Sequence, residues 1–367
     1  MTGRIAVGMD VADLPTPVVV IDRSILDRNI AAMAAHARAC GVSLRPHWKT
    51  TKAVEAARRQ LDAGAVGLTT ATAAEMLALA DGVSPSVFWA YPPVGRERVD
   101  AVLSACRSTE VIVGTDSVEA VRELADRAHR AGFRIPVRLD VDTGLHRTGV
   151  APEGAVDAAR ALAALPGVDV EGVWTHEGHV QGVGADAQRR RLTGLAAGRL
   201  LVETAEAIRA DGIEVRSVSV GSTPGARSAP TVPGVTEARP GTYVLGDENQ
   251  VRIGTVDPAD VAVSVRSRVL STQPSEWAII DAGIKAMSSD GSTHGDGRIG
   301  TVVSEGGGVV VTGHEEHGFL RGAANPRVGD VVHIRPNHAC GLMNMHAEAA
   351  VVADGVVEEV WRIRARH

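Results

Sequence analysis

The sequence predicts an α/β protein, with a (β/α)8 barrel over residues 22–254 and a β-rich domain over residues 255–367. Eight short β-rich runs recur in the first of these regions. Helical stretches of roughly 10 to 20 residues separate them, as crossover connections between parallel strands require. After Gly254 the pattern changes to strands with glycine-rich and charged turns, without a long helix. We group residues 1–21 with the β-rich domain; the alternative is that the strand TPVVVID leads into the barrel.

The predicted barrel strands are VSLRPH, AVGLTT, SVFWAY, EVIVGT, IPVRLDV, VEGVWTH, VRSVSVG and the TYVLG run. Eight βα units in about 230 residues match the size of a closed barrel. An open, doubly wound sheet is the structural alternative. It is disfavoured because no GxGxxG sequence follows the first strand.

Composition excludes several classes of function. Apolar residues make up 44% of the chain and aromatic residues only 3%, so the core must consist mainly of Val, Leu, Ala and Ile. A net charge of −6 with both signs interspersed argues against a nucleic-acid surface. No apolar run approaches the roughly 20 residues of a membrane span, and the N-terminus lacks the features of a signal peptide. Cys40, Cys106 and Cys340 are too scattered for a disulfide framework. We therefore expect a soluble cytoplasmic protein with a small-molecule partner and neither nucleic acid nor membrane.

The segment LRPHWKTTK, Leu44 to Lys52, lies where a strand ends and a helix follows. A lysine at that point is placed to face a pocket, although a basic loop is often simply solvated. Further polar segments follow later strands: DVDTGLHRTG, THEGH, GSTPG and EARPGTY. Since the chemistry of such barrels lies at the carboxyl ends of the strands, these segments are expected to meet.

The turn GST, Gly221 to Thr223, can direct backbone N–H groups and two hydroxyls at an anion, for which phosphate is the expected ligand. Alone, such a turn is weak evidence for a phosphate site. Together with a lysine and an arginine on other strand ends, it suits pyridoxal 5′-phosphate (PLP), whose aldehyde bonds to a lysine amine. Lys49 is the candidate for that bond.

The ordered motifs resemble those of the D-threonine aldolase and D-serine dehydratase group, whose N-terminal barrel is shared with alanine racemase. RPHWKTTK, DTGLHRTGV, THEGHV, VGSTP, RPGTYV, IIDAGIKAMSSD, EEHG and PNHAC are similar to the group's motifs over nearly the whole chain. The resemblance implies PLP on Lys49 and a homodimer. Thr51 departs from the pattern, because the group usually has histidine there.

The resemblance also implies roles for individual residues at the cofactor. Arg147 would lie near the oxygen of the pyridine ring, and Arg239 would face the ring nitrogen. The other implied cofactor contacts are His176, His179, Gly221, Ser222, Thr223 and Tyr243.

A metal site is predicted in the β-rich domain from His338 and Cys340. On a strand, residues two apart share one face, so both side chains could reach one ion. Imidazole and thiolate together favour zinc or a similarly soft divalent metal, although a single His-x-Cys spacing by itself is more often a structural pair. The resemblance implies that both residues bind the metal, which would be Zn²⁺ or Mn²⁺.

The predicted function is that of a PLP- and metal-dependent lyase of β-hydroxy-D-amino acids. Dehydration to a 2-oxo acid and ammonia is favoured, because dehydratases of this group tend to have His-x-Cys and aldolases His-x-Asp. Retro-aldol cleavage to glycine and an aldehyde is the alternative. An amino-acid racemase is disfavoured because the only tyrosines, Tyr91 and Tyr243, fall in the predicted barrel. A PLP carrier without enzymatic activity is disfavoured by the β-rich domain, since such carriers resemble the barrel alone.

Overall fold

The computed structural model describes residues 4–274, 276–293 and 295–366, which form two compact units. The barrel unit comprises Ala32–Lys49 and Ala56–Gly241, and the β unit comprises Met1–Ala31, Thr50–Glu55 and Thr242–Arg366. The domain boundaries given above, residues 22–254 and 255–367, stay a prediction.

Strands and helices alternate through the first two thirds of the chain, and strands dominate the rest. In chain order the strands are β1 (Val18–Asp22), β2 (Ser43–Leu44), β3 (Leu68–Thr70), β4 (Ser86–Trp89), β5 (Glu110–Thr115), β6 (Ile135–Asp140), β7 (Val168–Trp174), β8 (Ser217–Val220), β9 (Glu237–Ala238), β10 (Val263–Ser271), β11 (Ala278–Ile280), β12 (Gly300–Val302), β13 (Val309–Gly313), β14 (Gly318–Arg321), β15 (Val331–Pro336), β16 (Glu348–Ala353) and β17 (Val356–Arg362). The helices are α1 (Arg23–Cys40), α2 (Val54–Asp62), α3 (Ala73–Ala80), α4 (Arg96–Ala105), α5 (Val118–Arg130), α6 (Ala155–Ala163), α7 (His179–Gly182), α8 (Ala187–Ala210), α9 (Glu248–Arg252), α10 (Ile284–Met287) and α11 (Ala339–Met345). In the ranges that the structure covers, none of the helices combines the length and the apolar character that crossing a membrane requires.

Side-chain caps begin several of the barrel helices directly after a strand. Thr72 accepts a hydrogen bond from Glu75 N at the start of α3, and Ser117 accepts one from Ala120 N at the start of α5. These hydroxyls satisfy N–H groups that have no partner within the helix, and so define where each helix begins.

In the barrel unit, strands β2 to β9 form one parallel sheet in the order β2-β9-β8-β7-β6-β5-β4-β3. Its two ends are joined by a parallel bridge between His47 and Thr69. Backbone hydrogen bonds from Val66 N to Leu44 O (2.9 Å) and from Thr69 N to Pro46 O (2.8 Å) strengthen this junction. A sheet whose first and last strands pair is a closed barrel, so the predicted (β/α)8 fold is confirmed.

The eighth barrel strand is not the predicted TYVLG run. That run begins with the 3-10 helix Thr242–Val244, and the strand that pairs with β2 and β8 is Glu237–Ala238. The prediction was wrong because a strand of two residues, one of them a glutamate, has no apolar periodicity. Glu237 nevertheless points into the barrel interior, where its side chain is 5% exposed.

An ionic cluster surrounds Glu237 inside the barrel. Arg45 Nε donates to its Oε2 at 2.7 Å, Arg138 donates to both of its oxygens, and Ser219 Oγ donates to its Oε1 at 2.7 Å. Burial alone would raise the pKa of Glu237, but the guanidinium groups of Arg138 and Arg45 lower it below its usual range. The barrel interior therefore holds a permanent negative charge that is compensated on several sides.

The β unit contains one nine-stranded sheet in the order β11-β14-β13-β12-β15-β10-β1-β16-β17. Strand β1 pairs antiparallel with β10 and parallel with β16, so the N-terminal strand TPVVVID is part of this sheet. The predicted β-rich character of the C-terminal region is confirmed.

The ionic cluster predicts a large effect of Glu237→Gln on stability. Glutamine would leave Arg45 buried without a compensating charge and Arg138 with Glu171 as its remaining anionic partner, and removing one partner of a buried pair typically costs about 3–5 kcal/mol. Urea unfolding followed by circular dichroism measures this difference. Glu214→Gln is the control, because its ion pair with Arg216 is exposed and should contribute less than about 1 kcal/mol. A similar small effect for both variants would contradict the role assigned to the cluster.

Candidate active site

A cavity of about 390 Å³ opens at the carboxyl ends of the barrel strands. Four of the predicted site residues line it: Lys49, Arg147, His176 and Arg239. They come from four separate segments of the sequence. A volume of this size is that of a small-molecule site.

Lys49 lies in the 3-10 helix Trp48–Thr50, at the end of the first barrel segment. The indole of Trp48 is fully buried and anchors the segment. In the part of the chain that the structure describes, the Lys49 amino group has no hydrogen-bond or ion-pair partner. An unpaired amine at a cavity is available to bond to a carbonyl carbon.

Arg147 lies on the loop between β6 and α6, which folds back on the end of β6. Asp142 N donates to Val150 O and Val150 N donates to Asp140 O, both at 2.9 Å, so the loop is closed at its base. Asp142 Oδ1 accepts from Gly144 N and His146 N at its tip. Between these contacts the exposed Arg147 guanidinium lines the cavity without a hydrogen-bond partner among the described residues.

Arg239 is buried and held on three sides. Its Nε donates to Ser219 Oγ at 2.7 Å and its Nη2 donates to Thr175 O. The guanidinium carbon lies 5.3 Å from the ring centroid of Phe88 and 5.0 Å from that of Trp174, as in cation–π contacts. Burial lowers the pKa of Arg239 to about 10, so the side chain still carries a positive charge at neutral pH.

The two histidines that line the cavity are uncharged at neutral pH. Burial and the positive charge of Lys49 lower the pKa of His176 to about 3, and the same effects lower the pKa of His47 well below its usual range. His176 Nδ1 lies 2.6 Å from Gly221 O. Because a carbonyl only accepts, this nitrogen carries the proton and Nε2 remains an acceptor.

The turn predicted to hold phosphate is already bonded to a carboxylate. Glu177 is fully buried; its Oε2 accepts from Gly221 N at 2.8 Å and its Oε1 from Ser222 Oγ at 3.0 Å. Ser222 Oγ in turn accepts from Gly225 N. The structure thus brings Gly221 next to His176, but neither Gly221, Ser222 nor Thr223 lines the cavity. Glu177 was not predicted; its position between two histidines of a strand-end motif was the available signal.

Two more predicted cofactor contacts lie apart from the cavity lining. His179 begins helix α7, and its ring packs against the Arg147 loop, since a Cβ at Gly144 would come within 3.3 Å of His179 Nε2. Tyr243 is buried in the 3-10 helix Thr242–Val244 of the β unit, whereas the sequence placed it in the barrel.

Two aspartates that the sequence analysis did not select, Asp116 and Asp140, line the cavity. Asp140 Oδ2 accepts from Thr148 Oγ1 at 2.8 Å, and Asp116 Oδ2 accepts from Gly149 N at 3.3 Å. Both therefore support the residues that follow Arg147. Burial raises the pKa of Asp140 to about 6, and the negative charge of Asp116 adds to this effect. Their positions at the ends of β5 and β6 were the signal that could have found them.

The sequence analysis placed His338 and Cys340 on a strand, but in the structure of the β unit neither residue lies on one. Strand β15 ends at Pro336; His338 precedes helix α11 and Cys340 lies in its first turn. The two side chains are within hydrogen-bonding reach of each other even so, with His338 in the extended N-cap position of α11. The interpretation as a strand pair was wrong because the chain turns at Asn337.

The surroundings of this pair fit a metal ligand set. Asp247, fully buried, has its Oδ2 3.1 Å from His338 Nδ1, which leaves His338 Nε2 for an ion. The Cys340 sulfur lies 3.2 Å from Thr50 Oγ1 and 3.9 Å from Thr242 Oγ1. No group of three or more His, Cys, Asp or Glu ligands occurs in the described ranges.

Thr51, where the related motif has histidine, is buried, and its hydroxyl has no hydrogen-bond partner within the described part of the chain. The neighbouring Lys52 binds residues of the β unit: its Nζ donates hydrogen bonds to Asn344 Oδ1 and Ala365 O, both at 2.8 Å.

Comparisons with known proteins agree with this architecture. Residues 21–249 match the family described as alanine racemase, N-terminal domain, and residues 262–352 match a serine dehydratase domain family. D-threo-3-hydroxyaspartate dehydratase of Delftia sp. (strain HT23) is 36% identical, over 94% of this chain and 96% of that protein.

Solved structures are similar over almost the full length. D-threonine aldolase from Filomicrobium marinum has a TM-score of 0.91 at 28% identity, covering 100% of this chain and 99% of its own. A D-threo-3-hydroxyaspartate dehydratase variant in the metal-free form has a TM-score of 0.89 at 33% identity, covering 96% and 98%.

The raised pKa of Asp140 predicts a pH-dependent effect of Asp140→Asn on stability. Because its folded-state pKa of about 6 lies above the ordinary 3.8, the protonated carboxyl stabilises the fold at low pH. This contribution is lost as the pH rises through 6. Asparagine cannot ionise, so the variant should gain about 2 kcal/mol relative to the parent between about pH 4.5 and about pH 7.5. Urea unfolding at both pH values measures the gain. Exposed Asp157→Asn is the control for the substitution itself, and a pH-independent difference for Asp140→Asn would contradict the shift.

Proposed function

The chain belongs to the D-threonine aldolase and D-serine dehydratase group of the alanine racemase N-terminal domain family, and we propose that it dehydrates a β-hydroxy-D-amino acid to a 2-oxo acid and ammonia. It is a PLP-dependent lyase. The observation that carries the proposal is the unpaired amine of Lys49 at a cavity of ligand size.

Only one lysine is suited to hold PLP. The sequence contains three lysines, Lys49, Lys52 and Lys285. The Lys52 amine donates two hydrogen bonds, and Lys285 forms an exposed ion pair with Glu316 at 2.9 Å. An amine bound in either way is less available than that of Lys49, so we assign the covalent bond to Lys49.

The other cavity residues fit the remaining groups of PLP. Arg147 provides an unpaired cation at the mouth, and Arg239 provides a rigid cation from the cavity floor. We assign Arg147 to the ring oxygen and Arg239 to the ring nitrogen. His176, uncharged at neutral pH, adds a neutral surface beside them. His179 and Tyr243 stay predicted contacts.

The turn Gly221 to Thr223 is proposed to hold the phosphate through donors other than Gly221 N and Ser222 Oγ, which Glu177 already binds. The role of Glu177 is then to keep the turn in shape. Replacing Gly225 would disturb this arrangement, since a Cβ there would come within 2.6 Å of Glu177 Oε1.

The chain's own residues account for the proton transfer. PLP, when bound, supplies an electron sink that stabilises negative charge at the substrate α-carbon. The Lys49 amine is proposed to take the α-proton, a task for which an unpaired amine at the cavity is suited.

His338 and Cys340 are proposed to hold a divalent metal, with zinc favoured over manganese because one donor is a thiolate. Such an ion supplies Lewis acidity to a hydroxyl oxygen, which makes hydroxide a better leaving group. Asp247 orients His338 for this role. The metal-free form described for a relative supports a metal in this group.

Retro-aldol cleavage to glycine and an aldehyde is the second candidate, supported by the likeness to D-threonine aldolase at a TM-score of 0.91. Dehydration is favoured by the thiolate of Cys340 and by the higher identity to a dehydratase, 36%. The substrates in which the two reactions compete are D-serine, D-threonine and D-threo-3-hydroxyaspartate.

A homodimer in the cytoplasm completes the proposal. The homodimer rests on the family resemblance. Cys40, Cys106 and Cys340 form no disulfide in the described part of the chain, which suits a reducing compartment.

Lys49→Ala tests the cofactor assignment. The variant should lose the visible absorbance of bound PLP, and its rate of substrate turnover should fall roughly 10²- to 10⁴-fold, because both the anchor and the base are gone. Absorbance spectra and an assay of 2-oxo acid against glycine measure these effects with each of the three substrates. Lys285→Ala, at an exposed ion pair, should behave as the parent. An unchanged spectrum in Lys49→Ala would refute the assignment, and glycine as the main product would favour the aldolase.

His338→Ala and Cys340→Ala test the metal site. Each variant should lose the zinc that the parent protein retains after dialysis, together with its dehydratase activity, while the absorbance of bound PLP persists. Elemental analysis and the 2-oxo acid assay, with EDTA and zinc add-back, measure both properties. His317→Ala is the control, because this histidine lies in a turn outside the proposed ligand pair. Retention of zinc in both ligand variants, or full activity in EDTA, would exclude the site.

A further inference from the structure

We propose that Ser219 is a positioning residue that holds Arg239 against the cofactor by linking it to the ionic cluster of the barrel interior. The proposal rests on the proposed function, since it assigns Arg239 to PLP. Ser219 itself does not line the cavity.

The Ser219 hydroxyl lies between two groups of opposite charge. It is fully buried on β8, donates to Glu237 Oε1 at 2.7 Å and accepts from Arg239 Nε at 2.7 Å. A carboxylate can only accept and a guanidinium can only donate, so the direction of both hydrogen bonds is determined. Because the hydroxyl proton points at Glu237, a lone pair of Ser219 Oγ is directed at Arg239 Nε.

Glu237 makes this acceptor stronger. Its carboxylate is held ionised by Arg138 and Arg45, which lower its pKa despite burial. A hydroxyl that donates to an anion has more negative charge on its oxygen and therefore binds a cationic donor more tightly. The negative charge of Glu237 thus strengthens the hydrogen bond from Arg239 Nε to the Ser219 hydroxyl.

The remaining contacts of Arg239 leave only its Nη1 available to a ligand in the cavity. Thr175 O takes Nη2, and the faces of Phe88 and Trp174 cover the guanidinium plane. Nη1 makes no hydrogen bond to any described residue, and Arg239 lines the cavity. Without the bond at Nε, hydrogen bonds at Nη2 alone would set the orientation of the guanidinium within its plane, and the direction of Nη1 would be less closely fixed.

Gly221 supports the same side chain from the other side. A Cβ at Gly221 would come within 2.7 Å of Arg239 Cβ and 3.1 Å of Arg239 Cζ. Alanine at this position must therefore displace Arg239 without touching the Ser219 hydroxyl.

The same strand provides a matched control. Ser217 lies two residues before Ser219 on β8, so both side chains lie on the same face of the sheet. Both are buried, but Ser217 Oγ has no hydrogen-bond partner among the residues described. Ser217→Ala and Ser219→Ala each remove one buried hydroxyl from the same face of β8, and only the second breaks the link.

The experiment compares the two variants in the full-length protein by three readouts: PLP affinity of the apoprotein, absorbance of bound PLP against pH, and kcat and KM. Ser219→Ala should shift the pH midpoint of the absorbance, weaken PLP binding and lower kcat about tenfold or more, with little change in KM, as expected for the loss of a hydrogen bond to a charged group. Ser217→Ala should match the parent protein in all three. The role is overturned if Ser219→Ala behaves as Ser217→Ala does.

Two further variants keep the test decisive. Ser219→Thr retains the hydroxyl and should restore the parental pH midpoint. If Ser219→Ala does not fold, Gly221→Ala should produce the shift by displacing Arg239, and an unchanged spectrum would overturn the proposal. Failure of the proposed function has a separate signature, because the parent protein would then show no absorbance that depends on Lys49.

Discussion

The buried negative charge of Glu237 is the constraint on which the barrel unit depends. A carboxylate in the barrel interior is stable only if cations and hydrogen-bond donors surround it, and Arg45, Arg138 and Ser219 do so. The same residue forms β9, the strand that pairs with both β2 and β8. The charge network and the strand order are therefore parts of one arrangement.

This arrangement extends to the cavity, where the two arginines differ in how deeply they are buried. Arg239 lies deep and is held by hydrogen bonds and aromatic faces, whereas Arg147 lies at the mouth on a loop that Asp116 and Asp140 support. His176 is kept uncharged by burial and neighbouring cations. The result is a site with two arginines, one unpaired amine, uncharged histidines and two aspartates at its edge, and its cations suit an anionic carbonyl cofactor.

Much of the fold could be predicted from the sequence, because seven of the eight barrel strands have apolar, β-branched residues between helical segments. The eighth strand, Glu237–Ala238, could not be predicted, because its buried Glu237 is stabilised by arginines that are distant in the sequence. Lys49 was found from its motif at a strand end, but nothing local to GSTPG indicated that Glu177 would bind its donors. His338 and Cys340 were selected by residue type, while their geometry depends on a chain turn that the His-x-Cys spacing does not reveal. Asp116 and Asp140 follow or end barrel strands too, but neither belongs to the set of basic and small polar residues that the cofactor motifs predict.

The central claim is that PLP bonds to Lys49, and peptide mapping after borohydride reduction tests it most directly. The reduction makes the bond between lysine and cofactor permanent, and mass spectrometry of the tryptic peptides then locates it among only three lysines. The account predicts the pyridoxyl phosphate mass increment on Lys49 alone. An increment on Lys52 or Lys285, or none on any peptide, would contradict it.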